Sequence, residues 1–208
     1  MLICSDSFIC TKPCSQVSLH KHIMPHIIVS KDKVNICING HFYNNINFAI
    51  INGNSFHSVF NNGNSTFIFL VFPFTELYYK ICNYLKEKNI SDMSQNITED
   101  SFSLINFCSV EDCNTFLNLY FKDEISVFYD ERIRNIIEKI ADGTYISKSV
   151  EEIAKEVNLS KSRLEHLFKE QTHFRLKYIL LIYKFKNAYF SIINGTNITQ
   201  AAYDSGFS

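Results

Sequence analysis

Apolar and polar positions change period part-way along the chain. In the first third the repeat is short. His26 to Ser30 is an apolar run, and Val34-Asn35-Ile36-Cys37-Ile38 alternates. Asn39-Gly40 follows, a dipeptide that accepts the positive φ angles of a tight hairpin. Phe48 to Ile51 predicts the next strand, closed by Asn52-Gly53-Asn54. Ser55 to Phe60 predicts another, closed by Asn61-Asn62-Gly63-Asn64. Thr66 to Phe72 is wholly apolar and stops at Pro73. Short strands at regular spacing between Gly/Asn turns predict a small β-sandwich or barrel.

From Thr75 the period lengthens to that of a helix. Leu77, Ile81, Tyr84 and Leu85 share one face of a helix running to about Asn89. Residues 91–101 are polar and predict a loop. Val110 to Phe121 predicts a second helix, with Cys113, Phe116, Leu117 and Tyr120 on one side. Two such stripes need cover, either from the chain's own barrel or from a second subunit. Residues 123–130 read as a boundary. The expected fold class is α+β: a strand-rich domain over 1–125 with two flanking helices, then an all-α domain over 126–208.

The second domain opens with a helix from Arg132 to Ile140, on which Ile133, Ile136, Ile137 and Ile140 are apolar; Asp142-Gly143 ends it. Ser149 with Glu152 three residues on is a capping box. Ile153, Ala154 and Val157 then share a face, and Asn158-Leu159 breaks the pattern. Ser160 caps a second short helix carrying Leu164, Leu167 and Phe168 inward. This is the sequence form of a helix-turn-helix, with Ala154 as the small residue at closest approach and Leu159 plugging the turn. Lys161, Ser162, Glu165, His166 and Lys169 are left outside, hydrogen-bonding side chains of the kind that read base edges. Arg163 and Lys169 suit phosphates. Leu176 to Ile193 is a long helix, apolar on more than one face and ended by Asn194-Gly195.

The run AKEVNLSKSRLEHLFKEQTHF, the long apolar helix and ITQAAYDSGFS together resemble the DNA-binding domain of the AraC/XylS family of transcriptional regulators. The resemblance covers about Asp130 to Ser208. It rests on Ala154, Leu159-Ser160, Leu164, Leu167-Phe168-Lys169, Ile198, Ala202 and Gly206-Phe207. It implies two helix-turn-helix units joined by one long helix and bound to adjacent major-groove segments. Three positions depart from the pattern: His173 stands where Gly usually ends the recognition helix, Lys184 where Arg is usual, and Ile179 where an aromatic is common. The chain stops at Gly206-Phe207-Ser208, where Ser208 would cap a further helix. The expectation is a chain cut within its second unit, with apolar surface of the long helix left bare.

The strand-rich half resembles the cupin-like sensor domain that many members of that family carry, through SLHKHIMPHIIV, INGHFY and NGNSFH. His20, His22 and His57 stand at matching positions. In metal-binding cupins such histidines ligate a metal ion. The carboxylate ligand that usually follows the His-x-His is missing, since Ile27, Ile28 and Val29 fill that region. No metal and no cofactor are therefore expected, and the three histidines stand as ligand candidates at the mouth of a small barrel.

Composition narrows the picture further. The 208 residues suffice for one large or two small domains, and the formal charge of −1 shows no global bias towards nucleic acid. Up to Phe128 there are 8 basic and 11 acidic residues, and from Tyr129 on 12 and 10, so −3 and +2. The basic excess falls on the half with the helix-turn-helix pattern. Cys4, Cys10, Cys14, Cys37, Cys82, Cys108 and Cys113 are odd in number and form no CxxC pair, so buried free thiols are expected. MLICSDSFIC has no basic start or long apolar core, and no apolar run reaches the ~20 residues of a membrane span. A reducing cytoplasm is the expected setting.

The leading expectation is a sequence-specific DNA-binding transcription regulator, an activator, that reads the major groove with the helix 161–171. It is not expected to be an enzyme. Double-stranded DNA, a second copy of the chain, a small-molecule effector and RNA polymerase are the expected partners, with no membrane. An apolar effector such as a fatty acid would suit strands rich in Phe and Ile. The alternative is a truncated subunit that dimerises with a full-length regulator and modulates it. A metal-dependent cupin ranks last, because no acid/base pair accompanies the histidines.

Overall fold

The hairpin at Asn39-Gly40 forms where the alternation predicts it, with φ of 50° and 86° at its two corner residues. It joins β4 (His26–Ile38) to β5 (His41–Ile51). The computed structural model describes residues 2–3, 7–10, 16–60, 66–87, 93–95, 110–121, 127 and 129–207. The chain divides into two compact units, Met1–Ser126 and Val127–Ser208.

The first unit is built on one antiparallel sheet. Before β4 come β1 (Leu2–Ile3), β2 (Ser7–Cys10) and β3 (Gln16–His20). After β5 come β6 (His57–Phe60), β7 (Thr66–Val71) and β8 (Met93–Gln95). The two apolar runs expected as separate strands are one: β4 continues through Ser30 to Val34, with irregular register between Val29 and Ile36. Its length lets it serve two neighbours on one side. Residues 26–30 pair with β7, and residues 35–38 pair with β6, which carries β3 beyond it. β5 lines the other side, with β8 beyond it. Such a split and bulged strand curls the sheet. β8 lies in the stretch expected to be a loop; three strand residues with Met, Ser and Gln carry no period to read.

Alternation sorts the strand residues between two apolar clusters. Ile27 and Val29 of β4 and Phe48 and Ile50 of β5 join Ile9, Phe67, Phe69 and Val71 on one face. Ile28, Val34, Ile36, Ile38, Ala49, Ile51 and Val59 form the other. The first face is covered by α1 (Glu76–Glu87) and α2 (Val110–Tyr120), through Ile81, Leu85, Phe116, Leu117 and Phe121. The helical stripes therefore pack on the chain's own sheet. Tyr84 and Tyr120 meet by a 2.9 Å hydroxyl hydrogen bond between the two helices. Of the cysteines, Cys37 is buried and Cys10 and Cys82 are half-buried; Cys4, Cys14 and Cys108 lie outside the described residues.

The described residues of the second unit form helices only. They are α3 (Glu131–Ala141), α4 (Val150–Glu156), α5 (Lys161–Thr172), α6 (Leu176–Ile193) and α7 (Ile198–Asp204). The caps explain the boundaries. Asp130 accepts from Arg132 N, Ser149 and Glu152 close the capping box, Ser160 accepts from Arg163 N, and Asn197 accepts from Gln200 N. All four isoleucines of α3 are buried, as are Ile153, Ala154, Leu164, Leu167, Phe168, Ile179 and Tyr183. The helix α6 touches α3, α5 and α7. Even so, Leu181, Phe185, Phe190 and Ile193 on it stay exposed. Among the described residues no helix is long and apolar enough to cross a membrane.

Candidate nucleic-acid interface and histidine cluster

The turn between α4 and α5 is set by two residues. Asn158 takes φ of 55°, a left-handed conformation that Asn tolerates. Leu159 N then donates to Ala154 O at 2.9 Å, which brings α5 back across α4. The turn of α5 repeats with Leu164, Leu167 and Phe168 buried, so Ser162, Glu165, His166 and Lys169 face solvent. These four line one open groove of about 520 Å³, together with Arg175, Lys177 and Tyr178 from the start of α6. Four of the residues that the spacing singles out thus share a single surface.

Lys161 and Arg163 do not line that groove, although Lys161 borders a neighbouring one that shares Glu165, Lys177 and Tyr178 with it. This second groove also takes in Ser149 and Leu181, and the Lys161 ammonium is paired with the Glu151 carboxylate, which raises its pKa. Arg163 is exposed and close enough to Asp130 to help hold that carboxyl down. His166 Nδ1 stands 3.5 Å from Glu170 Oε2, one turn on. Arg175, Lys177 and Tyr178 are the residues that sequence reasoning missed. They sit in the stretch read only as the start of an apolar helix, and their signal was the two cations flanking Leu176.

In the first unit, His20, His22 and His57 come together as the sequence reading grouped them. One ring nitrogen from each lies within 4.8 Å of the other two. The reason is register: His20 of β3 and His57 of β6 are direct cross-strand partners, and their ring centroids are 4.3 Å apart. His22 follows on the connection to β4. That connection is held by the turn after β5, where Asn54 N donates to His22 O at 2.7 Å. Gly53 makes the approach possible, because a Cβ there would sit 2.2 Å from the Ile23 carbonyl oxygen.

A fourth histidine, His26 at the start of β4, completes the group. By sequence it is only the edge of an apolar run. Its Nε2 is 3.1 Å from His22 Nε2, and its ring centroid is 4.6 Å from that of His57. His26 and His57 are 6% and 1% exposed, so both are core residues. Burial is the largest cause that lowers the His22 pKa, to about 4, followed by the neighbouring His57 and His20. His26 is driven well down by burial and then by the other three. Both rings are therefore neutral at neutral pH.

Hydrogen bonds assign the protons on the other two. His20 Nδ1 lies 2.8 Å from Ser18 O, and His57 Nδ1 lies 2.9 Å from Ser55 O. A carbonyl oxygen only accepts, so each Nδ1 carries a proton. His22 Nδ1 is buried and makes no hydrogen bond of normal geometry, although the Met24 backbone favours its protonated ring slightly.

The architecture has counterparts among solved structures. Unsaturated fatty acid-bound wild-type ToxT from Vibrio cholerae strain SCE256 matches with a TM-score of 0.52 at 13% identity, over 98% of this chain and 86% of that one. Apo ToxT K231A from the same strain matches at 0.56 and 11%, over 99% and 90%. The fold is similar to that of ToxT. ToxT from Vibrio cholerae O395 bound to (E)-4-(8-methylnaphthalen-1-yl)but-3-enoic acid gives 0.51 at 10%, over 98% and 89%. At these identities the likeness shows the fold. No protein-family model and no curated protein sequence matches the chain.

Proposed function

We infer that this protein is a DNA-binding transcription regulator of the AraC type, with α4, the turn and α5 acting as a helix-turn-helix. The observation that carries this reading is the shared groove. Ser162, Glu165, His166 and Lys169 stand exposed on one face of a capped helix, beside Arg175 and Lys177. The likeness to ToxT over nearly the whole chain supports it.

The roles follow from donor and acceptor chemistry. Glu165 accepts from a cytosine amine, Ser162 contacts any base edge, and His166 donates to a guanine acceptor. Lys169, Arg175 and Lys177 contact phosphates, which adds affinity and salt dependence without sequence preference. Lys161 joins them on release from Glu151, and Arg163 reaches the flanking backbone. The first unit acts as a sensor or dimerisation domain, and a small apolar acid is the effector class, by analogy with the ligands named for ToxT. A homodimer would place two copies of α5 on successive half-sites, where RNA polymerase is contacted.

A second reading is favoured by one observation. Leu181 and Phe185, about one turn apart, expose an apolar stripe on α6, and Phe190 and Ile193 stay exposed further along on other faces. A subunit that pairs through that stripe with a related regulator, and modulates it, would use the same fold without binding DNA alone. DNA binding by the purified chain across a salt series separates the two. Sequence-selective binding on promoter-derived duplexes supports the regulator. Weak, non-selective binding that fades with salt supports the modulating subunit.

A further inference from the structure

We propose that the open groove bordered by α4, α5 and α6 docks an acidic amphipathic helix of a partner protein. The site shares Leu181 with the apolar stripe invoked for a modulating subunit, and it exists whether or not the chain binds DNA.

The sequence of α6 sets the pattern. Lys177, Leu181 and Lys184 stand at i, i+4 and i+7, so they share one face of the helix over two turns. Two cations thus bracket one apolar side chain. Tyr178 lies beside them, and Tyr178 and Leu181 are 47% and 51% exposed. The rest of the lining comes from the start of α4, with Ser149 and Val150, and from Lys161 and Glu165 of α5. The groove holds about 350 Å³, and its base includes Val150 and Leu180, both buried.

Charge decides the occupant. Lys161 is paired with Glu151 and Lys148 with Glu156, so these four cancel pairwise. Lys177 has no ion-pair partner among the described residues. Lys184 donates to the neutral Gly206 carbonyl oxygen, which leaves its charge uncompensated. Against these two the lining holds one further carboxylate, Glu165. The helix α6 carries Lys177, Lys184 and Lys186 and no acidic residue. A second copy of α6 packed on this face would therefore set lysines against lysines. A DNA strand would satisfy the ammonium groups and lay phosphates over the apolar Leu181, a desolvation cost with no return. A helix with a large apolar residue between two carboxylates, at the same i, i+4 and i+7 spacing, meets all three side chains at once. Its carboxylates reach Lys177 and Lys184 while its apolar side chain covers Leu181, the helix-in-groove mode with complementary charge.

The test uses the purified full chain and a fluorescein-labelled peptide of about 18 residues, long enough to populate a helix. One face carries Glu, Leu and Glu at those spacings, and Gln and Ala fill the rest. Fluorescence anisotropy should show saturable binding that weakens as salt rises. Leu181→Ser and Lys177→Glu should each weaken it at least about tenfold. Phe190→Ser, an exposed apolar residue of α6 outside the groove, should leave it unchanged. A peptide with glutamine in place of leucine should not bind. Absence of saturable binding overturns the proposal, as does unchanged affinity in Leu181→Ser. Equal binding of the leucine-free peptide also overturns it, because charge alone would then explain the contact. A random-sequence duplex that loses as much affinity as the peptide in Leu181→Ser would assign the groove to nucleic acid instead. Circular dichroism checks that each variant folds. If one does not, the comparison of the two peptides on the wild-type chain decides alone.

Discussion

Lys184 on α6 donates from Nζ to the carbonyl oxygen of Gly206, just past α7, at 2.6 Å. The carbonyl belongs to the residue after the C-cap Ser205, outside the helical ladder, and the half-buried ammonium satisfies it. Gly206 has φ of 77°, and a Cβ there would lie 3.1 Å from Ser147 Cα. Both the backbone conformation and the space argue for glycine. Gly206→Ala should therefore destabilise the second unit by about 1–2 kcal/mol, and Lys184→Met by about 1–2 kcal/mol. Urea unfolding and amide exchange in α7 check both. Unchanged protection of α7 in Lys184→Met would remove the bond from the account.

His173 ends α5 in the left-handed region, with φ of 63°, and donates its backbone N–H to Lys169 O. A Cβ is unfavourable there, and the larger chain entropy of unfolded glycine offsets only part of the gain. His173→Gly should stabilise the protein by about 0.5–1 kcal/mol. A lower denaturation midpoint in this variant would show that the imidazole makes a contribution the backbone argument misses.

Acid should loosen the second unit before neutral-pH chemistry would. Asp130 caps α3 and is hydrogen-bonded by the Arg132 side chain, the largest cause, and by Arg132 N, which hold its pKa near 2 against an ordinary 3.8. The folded value is depressed. Its contribution is thus present above about pH 4 and is lost as pH falls towards 2. Glu152, held down by Ser149, and Glu156, held down first by Lys148 and then by Tyr145, shift in the same direction. Chemical denaturation from pH 5 to 2 should show falling stability, with a shallower fall in Asp130→Asn. These groups are exposed, so solvent screening keeps the effect small.

Base contacts and phosphate contacts should separate by mutation. Glu165→Ala should change which sequences are preferred, at a cost of about 1–3 kcal/mol on the best site. Lys169→Ala and Arg175→Ala should weaken all duplexes alike and lower the salt slope by about one each. Binding-site selection on random duplexes, followed by salt titration, reads both. An unchanged preference in Glu165→Ala would exclude it from base readout.

Gly53 offers a probe of the histidine cluster from outside it. Its missing Cβ leaves room for the Ile23 carbonyl oxygen, which would otherwise be 2.2 Å away. Gly53→Ala should push the 52–55 turn off the His22 segment. It should lower the thermal midpoint and shift the His22 ring resonances in a proton–nitrogen NMR spectrum. Unchanged His22 resonances in a destabilised Gly53→Ala protein would mean that the cluster does not depend on this turn.

Periodicity by itself determined the helices of the second unit, the Asn39-Gly40 hairpin and the faces that are buried. These are local matters: a residue's cap, its turn and its neighbours three or four places on lie within reach of a short window. Ser149 with Glu152 closes its capping box for that reason, and Leu164, Leu167 and Phe168 point inward together. Tertiary structure alone decided the rest. The pairing of β4 with both β6 and β7 depends on partners far along the chain, so two apolar runs became one strand. The apolar stripes of α1 and α2 could have faced a second subunit, and only packing on Phe48, Ile50 and Phe69 settled them on their own sheet. His26 looked like part of an apolar run, because nothing local says that His22 and His57 will close around it. Arg175 and Lys177 likewise joined the α5 surface only when α6 folded back beside it. Sequence spacing fixes which face a side chain takes; which distant side chain shares that face is a property of the folded chain.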